Sequence, residues 1–270
     1  MKTLNDACLR NGRYVLYWMQ ASHRTEYNHA LEYAIEKANR LNRPLIVFFG
    51  IADRFPEANE RSYWFMFEGL LEVKNSLEER GIQLVVWKKS PEEGILELSK
   101  EASLLVVDKG YLKIQRKWYK YVAERVSCPF IQVETNVVVP VEEASRKEEY
   151  SAATLRPKLM RILRKYLTPL KERIVKIHSL DLEFESIDLK NPEHVIDKLN
   201  TDKTVKRSER FKGGTSEAKK HLMIFIKSKL DKYHKLRNDP TVDCVSHMSP
   251  YLHFGQISPV YIALEVLKTD

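Results

Sequence analysis

RYVLYWM, residues 13–19, is the stretch on which the fold turns. Apart from Arg13, every side chain is apolar or aromatic, so the run has no wet face; a strand of this kind is buried on both sides, as in a parallel sheet with helices above and below. Four further runs share that character: PLIVFFG (44–50), IQLVVW (82–87), SLLVVD (103–108) and FIQV (130–133). Between the first two, Ala30, Leu31, Ala34, Ile35, Ala38 and Leu41 recur at helical spacing and predict an amphipathic helix over 25–41. A second helix is predicted over 60–80, with Trp64, Phe67, Leu70, Leu71, Lys74 and Leu77 along one side and Gly81 as its terminator. Short apolar strands alternating with helices predict an α/β domain over residues 1–140, built on a doubly wound, Rossmann-like sheet of five parallel strands.

Such a sheet binds ligands beyond the C-terminal ends of its strands, where the strand order reverses. That geometry selects Met19, Gln20, Ala21 and Ser22, just past the first strand, as neighbours of any ligand. No GxGxxG follows that strand and no GxxxxGK[ST] occurs in the chain, which argues against ordinary dinucleotide and Walker-type enzymes. Asp53 and Asp108 lie near strand ends, where a turn or capping role takes precedence over chemistry.

A chain of 270 residues suggests about two domains. No apolar run approaches the ~20 residues that span a bilayer, so no membrane partner is expected. The N-terminus lacks the apolar stretch of a signal peptide, and Cys8, Cys128 and Cys244, odd in number and far apart, suit a reducing compartment; a cytoplasmic protein is expected. The net charge of +8 is unevenly spread. Residues 1–150 hold 22 basic and 22 acidic side chains, residues 151–240 hold 22 and 12, and residues 241–270 hold 1 and 3. A basic block beside a neutral domain fits a polyanion, for which DNA, RNA and an anionic lipid surface qualify equally, and it also fits a solvated helical surface.

From about Pro140 the alternation gives way to polar, helical sequence, placing a domain boundary there. LRPKLMRILRKYL sets Leu159, Ile162, Leu163 and Tyr166 on one side and Lys158, Arg161, Arg164 and Lys165 around the rest: a basic amphipathic helix. Further on, Gly213, Gly214 and Ser216 precede a helix carrying Ala218, Leu222, Phe225, Ile226 and Leu230. The division expected is 1–140, a connector over 141–205, and the start of an all-helical domain over 206–270.

FKGGTSEA (211–218), KYHKLRNDP (232–240) and VSHMSPYLHFGQISP (245–259) together resemble the start of the flavin-binding domain of the photolyase and cryptochrome family, in order and in spacing. YWMQASHRTEYNHAL (17–31), PLIVFFG and SAATLRPKL (151–159) further resemble its class II cyclobutane pyrimidine dimer photolyases. The resemblance implies an α/β domain able to hold an antenna chromophore, of 8-hydroxy-5-deazaflavin type, near Met19 to Ser22. It implies a helical domain binding FAD, and light-driven electron transfer to a pyrimidine dimer flipped out of double-stranded DNA. The implied activity is that of a carbon–carbon lyase, a deoxyribodipyrimidine photo-lyase, working as a monomer.

Carried over residue by residue, the resemblance puts Tyr233, Val245, Ser246, His247, Met248 and Ser249 against FAD. Serine hydroxyls and backbone N–H groups ahead of a helix suit a pyrophosphate, and Pro250 suits the helix start. Val245 and Met248 stand where the better-studied branch of the family usually carries Thr and Leu, which leaves Ser246 and Ser249 as the principal side-chain contacts. His247 and His253 are better read as structural than as metal ligands. Arg156, Lys158, Arg161, Arg164 and Lys165 are the candidate DNA contacts. All four tryptophans lie in the first domain and the sequence stops within an apparent helix, so the expectation is a C-terminally truncated chain. Its catalytic residues would lie beyond Asp270 and it would itself be inactive. A cryptochrome-like photoreceptor and a flavin-free nucleic-acid-binding module are the alternatives.

Overall fold

A computed structural model describes residues 1–269 of the chain. Its sheet is built from β1 (Lys2–Thr3), β2 (Tyr14–Trp18), β3 (Leu45–Gly50), β4 (Gln83–Trp87), β5 (Ala102–Asp108) and β6 (Phe130–Val133). Helices α1 (His29–Leu41), α2 (Glu60–Glu79), α3 (Pro91–Ser99) and α4 (Lys113–Ala123) connect the strands. The strand order is β1-β6-β5-β2-β3-β4, and every pairing among β2 to β6 is parallel. The chain winds outward from β2 through β3 to β4, then crosses back to β5 and β6, so the order reverses between β2 and β5.

β2 is buried along its whole length, as its unbroken apolar run requires. Alternate side chains of a strand face opposite ways. Val15 and Tyr17 therefore join the core packed under α1 and α2, while Tyr14, Leu16 and Trp18 join the one under α3 and α4. Each large apolar side chain buried in these layers contributes about 1.5–3 kcal/mol.

The sheet has six strands, not five. The sixth, β1, is an exposed antiparallel pair of residues on β6, too short and too polar to show any periodicity. Helix α1 starts at His29 rather than Thr25, because Asn28 caps it: its Oδ1 accepts the Leu31 N–H at 3.0 Å. Helix α2 matches its expected span, with Gly81 just beyond at φ +72°. Its buried face is broader than a single stripe. Phe67, Leu70 and Leu77 meet the sheet core as expected, whereas Trp64 is only half-buried, under the Arg207 guanidinium at 4.7 Å. Phe65 points the other way, into a third apolar cluster with Ala218, Leu222, Met248, Tyr251 and Ile257. The helix is gripped from two sides, which a single helical period cannot show.

After β6 come α5 (Val141–Ala144), α6 (Ala152–Tyr166) and α7 (Glu193–Asp197). Between α6 and α7 the chain folds back on the sheet's outer edge, where β4 would otherwise expose unpaired backbone. The Ile187 N–H donates to Val86 O, and the Val86 N–H to the Ser186 hydroxyl. Covering an edge in this way removes a template for unwanted strand pairing. Helices α8 (Thr215–Ser228), α9 (Leu230–Leu236), α10 (Ser249–His253) and α11 (Pro259–Leu267) complete the described residues. Among them, no helix is long and apolar enough to cross a membrane.

Candidate functional site

A cavity of about 1200 Å³ opens at the C-terminal ends of the strands, at the point where their order reverses. Gln20 and Ala21 from the loop after β2, Phe49 and Gly50 from β3, and Gly110 and Tyr111 after β5 line it, and Leu252 to Phe254 close it from the helical side. Of the four residues expected beside a ligand, Gln20 and Ala21 are in the wall. Met19 is packed into the core, and Ser22 is buried with its hydroxyl 2.9 Å from Asn136 Oδ1.

Asp108, at the end of β5, holds the β2 loop in place. Its fully buried carboxylate accepts N–H bonds from Ala21 at 3.0 Å and Ser22 at 2.9 Å, a longer one from Gln20 at 3.3 Å, and the Tyr17 hydroxyl at 3.1 Å. Burial outweighs these donors and pushes its pKa up to about 6. The three backbone donors position the loop and the Tyr17 hydroxyl ties the carboxylate to β2, so Asp108 is the turn-holding residue its sequence context suggests. Asp53 is an exposed partner of Lys88 at 3.0 Å.

His23 and Arg24 follow directly. His23, only 5% exposed, lies edge-on to Phe49 with ring centroids 4.9 Å apart, and burial brings its pKa down to about 4, so it is neutral at pH 7. Its Nδ1 is buried without a hydrogen-bond partner. Arg24, 1% exposed, has no carboxylate in contact among the described residues. Its guanidinium instead donates to Asn136 Oδ1, Gly255 O and Thr135 O, each at 2.8 Å, and more weakly to Tyr27 O. A buried cation is tolerated when most of its donors are answered, and here only the Nε–H of Arg24 is left without a partner among the described residues. Here they tie the β2 loop, the segment after β6 and the turn after α10 into one knot. Gly255 permits that closeness: its φ is +64°, and a Cβ there would stand 2.1 Å from Ala21 O.

Gln256 makes a second tie. Its amide accepts from the Gly214 N–H at 2.7 Å and donates to Phe65 O at 3.0 Å, while the Thr215 hydroxyl donates to its backbone carbonyl at 2.7 Å. Glu68 and Glu72 on α2 accept the Gly213 and Ser216 N–H groups at 2.6 and 2.9 Å, giving the start of α8 the negative charge it favours. Gly213 lies against the α2 backbone, where a Cβ would stand 2.0 Å from Phe65 O. The glycine pair is therefore a docking surface between helices. Sequence reasoning missed Arg24 and Gln256 altogether, because a lone Arg or Gln carries no periodic signal.

The residues that the resemblance assigns to FAD lie beyond this joint. Tyr233 on α9 is half-buried, edge-on to Phe225 at 5.3 Å with Arg237 over its ring. Val245 and Ser249 are exposed, Ser246 and His247 half-buried and Met248 buried. Asp243 gathers Lys229 at 3.1 Å, His247 Nε2 at 2.7 Å and Arg210 at 3.4 Å, which ties this segment to the junction of α8 and α9. The three nitrogen-bearing side chains are already answered by Asp243, so the Ser246 and Ser249 hydroxyls and the backbone N–H groups of 245–249 are what this segment offers a phosphate group. Helix α10 is only five residues long, so its dipole adds little to that set.

On α6, Arg156, Arg161, Arg164 and Lys165 are exposed, whereas Lys158 is half-buried and paired with Glu149. The apolar side, Leu159, Ile162, Leu163 and Tyr166, is half-buried. The helix carries no fully buried residue.

A protein-family model described as DNA photolyase matches residues 15–175. The chain is similar to the deoxyribodipyrimidine photo-lyase of Methanothermobacter thermautotrophicus, with 50% identity over 259 residues, 94% of this chain and 56% of that protein. It is 32% identical to the enzyme of that name from Potorous tridactylus, over 94% of this chain and 48% of that protein. The chain thus spans about half the length of the curated relatives it matches. Its fold is similar to that of an archaeal photolyase from Sulfolobus tokodaii solved with two FAD molecules, with a TM-score of 0.69, 18% identity, and coverage of 95% of this chain and 54% of that one.

Proposed function

Because this chain belongs to the DNA photolyase family, we propose that the protein it represents repairs cyclobutane pyrimidine dimers in double-stranded DNA, as a class II deoxyribodipyrimidine photo-lyase acting as a cytoplasmic monomer. The observation that carries the reading is the 50% identity to a named photo-lyase across 94% of the chain. That stretch takes in both the α/β sheet and the helices docked on it. The class II assignment rests on YWMQASHRTEYNHAL and SAATLRPKL. We divide the protein at 1–140, 141–205 and 206–270, as antenna domain, connector and beginning of the FAD domain.

In this reading Ser246 and Ser249 hold the FAD phosphates together with backbone N–H groups of 245–249, Arg210 and Lys229 supply positive charge nearby, and Tyr233 packs beside the cofactor. When bound, FAD supplies the light-driven electron that opens the dimer. No proton transfer by a side chain is needed, and neither place shows an activated nucleophile or acid–base pair among the described residues. The exposed cations of α6 contact DNA phosphates. The cavity at the strand ends holds the antenna: its apolar wall of Phe49, Met66 and Phe254 suits a fused-ring chromophore, a deazaflavin or flavin. The knot at Arg24 and the tie at Gln256 hold the two cofactor regions at fixed separation, which energy transfer between them requires.

The test is direct. The complete protein should purify with flavin absorbance and split thymine dimers in an oligonucleotide under blue or near-ultraviolet light. Flavin binding without repair would favour a photoreceptor, and absence of flavin would favour a nucleic-acid-binding module.

A further inference from the structure

A second cavity, of about 530 Å³, lies at the β1 edge of the sheet, between α4 and the segment that follows β1. Its floor is β6. Alternate side chains of a strand face the same way, so Gln132 points where Phe130 does, toward α4. Phe130 is fully buried in the core under that helix, whereas Gln132, 8% exposed, opens into the cavity. The Gln132 amide has no hydrogen-bond partner among the described residues. A buried amide left unanswered costs free energy that an apolar side chain in the same place would not, so this position suits a polar partner entering from the cavity.

The walls hold two more unanswered groups. Helix α4 joins β5 to the parallel β6 and runs against both strands, which puts Arg116 beside the C-terminal end of β6 and the last turn of the helix beside its N-terminal end. Asn5 pins the opposite wall to that N-terminal end: its amide donates to Cys128 O at 3.0 Å and accepts the Phe130 N–H at 2.9 Å, and Asp6 follows it there. Lys120 and Glu124 on α4 face each other at 4.0 Å, and Glu124 also meets Arg125 at 3.2 Å. Arg116 and Asp6 line the cavity without an ion-pair partner among the described residues. A cation at one end, a carboxylate at the other and an amide on the floor therefore remain, none of them in contact with another. Leu4, Tyr119 and Ala123 supply apolar surface between them.

We propose that this cavity binds a short zwitterionic peptide of two or three residues. Its carboxylate lies on Arg116, a backbone amide pairs with Gln132, its ammonium lies on Asp6, and an apolar side chain covers Leu4, Tyr119 and Ala123. A guanidinium meets a carboxylate through two parallel N–H bonds, and a primary amide carries both the donor and the acceptor that a peptide group requires. Eight residues of α4, from Arg116 to Glu124, span about 12 Å, and with Arg116 and Asp6 reaching inward this suits two or three extended residues of about 3.3–3.6 Å each. The lining carries two cations and two carboxylates, so a purely anionic ligand such as a nucleotide would be repelled as well as attracted.

The probe is the tripeptide alanyl-leucyl-alanine, with its N-acetylated and C-amidated forms, each titrated calorimetrically into the full chain. The free tripeptide should bind about tenfold more tightly than either blocked form. Arg116→Ala should abolish the preference over the amidated form and keep the preference over the acetylated one, and Asp6→Asn should do the reverse. Both side chains are exposed, so neither change disturbs the core. Gln132→Leu, which makes the strand position apolar, should weaken all three forms alike, by about fivefold. Equal binding of the three forms, or preferences that survive Arg116→Ala and Asp6→Asn, would overturn the inference. So would the absence of tripeptide binding, or tighter binding of AMP than of the free tripeptide.

Discussion

Asp108 and His23, neighbours of the same loop, titrate in opposite directions. Burial raises the Asp108 carboxyl from 3.8 to about 6, so the stabilisation it contributes is complete below about pH 4 and is lost as pH rises to 6. Burial lowers His23 from 6.5 to about 4, so its contribution is complete above about pH 6.5 and is lost as pH falls to 4. At about 1.4 kcal/mol for each tenfold change in proton affinity, each contributes roughly 3 kcal/mol, and over pH 4 to 6.5 the two offset one another. Urea unfolding should therefore show a nearly flat contribution from this loop in the unaltered chain. His23→Gln should become more stable as pH falls from 6 to 4, and Asp108→Asn less stable over the same range. Parallel pH profiles for the three proteins would refute this account. The sequence marks Asp108 as a residue that holds a turn, which is what it does. It does not show which turn, because the backbone groups it holds lie 86 to 88 residues away.

Among the elements, strands β2 to β6 and helix α1 are legible because each buries a continuous run or a single face, whereas β1, α3 and α4 are not among the predicted elements. What escapes are elements meeting two neighbours at once. Helix α2 serves the sheet with Phe67 and Leu70 and the helical region with Phe65 and Gly69, where a Cβ on Gly69 would stand 2.2 Å from Gln256 Nε2. FKGGTSEA is recognisable by resemblance alone, and its physical meaning, a helix start pressed on α2, needs the third dimension. Gly213→Ala should force α8 away from α2 and cost about 2–4 kcal/mol. Gln256→Ala should leave the Gly214 N–H and Phe65 carbonyl without partners and cost about 2–3 kcal/mol. Hydrogen exchange checks the location: amides of α8 should lose protection in either variant, while those of β2 and β3 keep theirs. Uniform loss of protection would mean that the tie stabilises the sheet itself.

Across the whole molecule, the charge asymmetry read from composition has two parts, and only one of them is available to a partner. Four cations of the basic middle segment are answered by carboxylates of the first 140 residues: Arg173 by Glu36 at 3.1 Å, Lys206 by Glu60 at 2.8 Å, Arg207 by Glu68 at 2.6 Å and Lys219 by Glu26 at 2.5 Å. The neutrality of residues 1–150 and the excess after them are thus partly one feature, an electrostatic seam holding connector and helices to the sheet. Exposed pairs of this kind each contribute at most about 1 kcal/mol, so the seam orients more than it stabilises. The cations of α6 are different, since Arg156, Arg161 and Arg164 face solvent with no such partner among the described residues. Each phosphate contact made by a cation contributes about 0.9 to the slope of log K against log salt for duplex DNA. Replacing those three arginines by Ala in the complete protein should therefore flatten that slope by about two to three and weaken binding to damaged and undamaged duplexes alike. Lys206→Ala with Arg207→Ala removes comparable charge from the seam and should leave the slope unchanged. The reverse outcome would move the DNA surface from α6 to the seam.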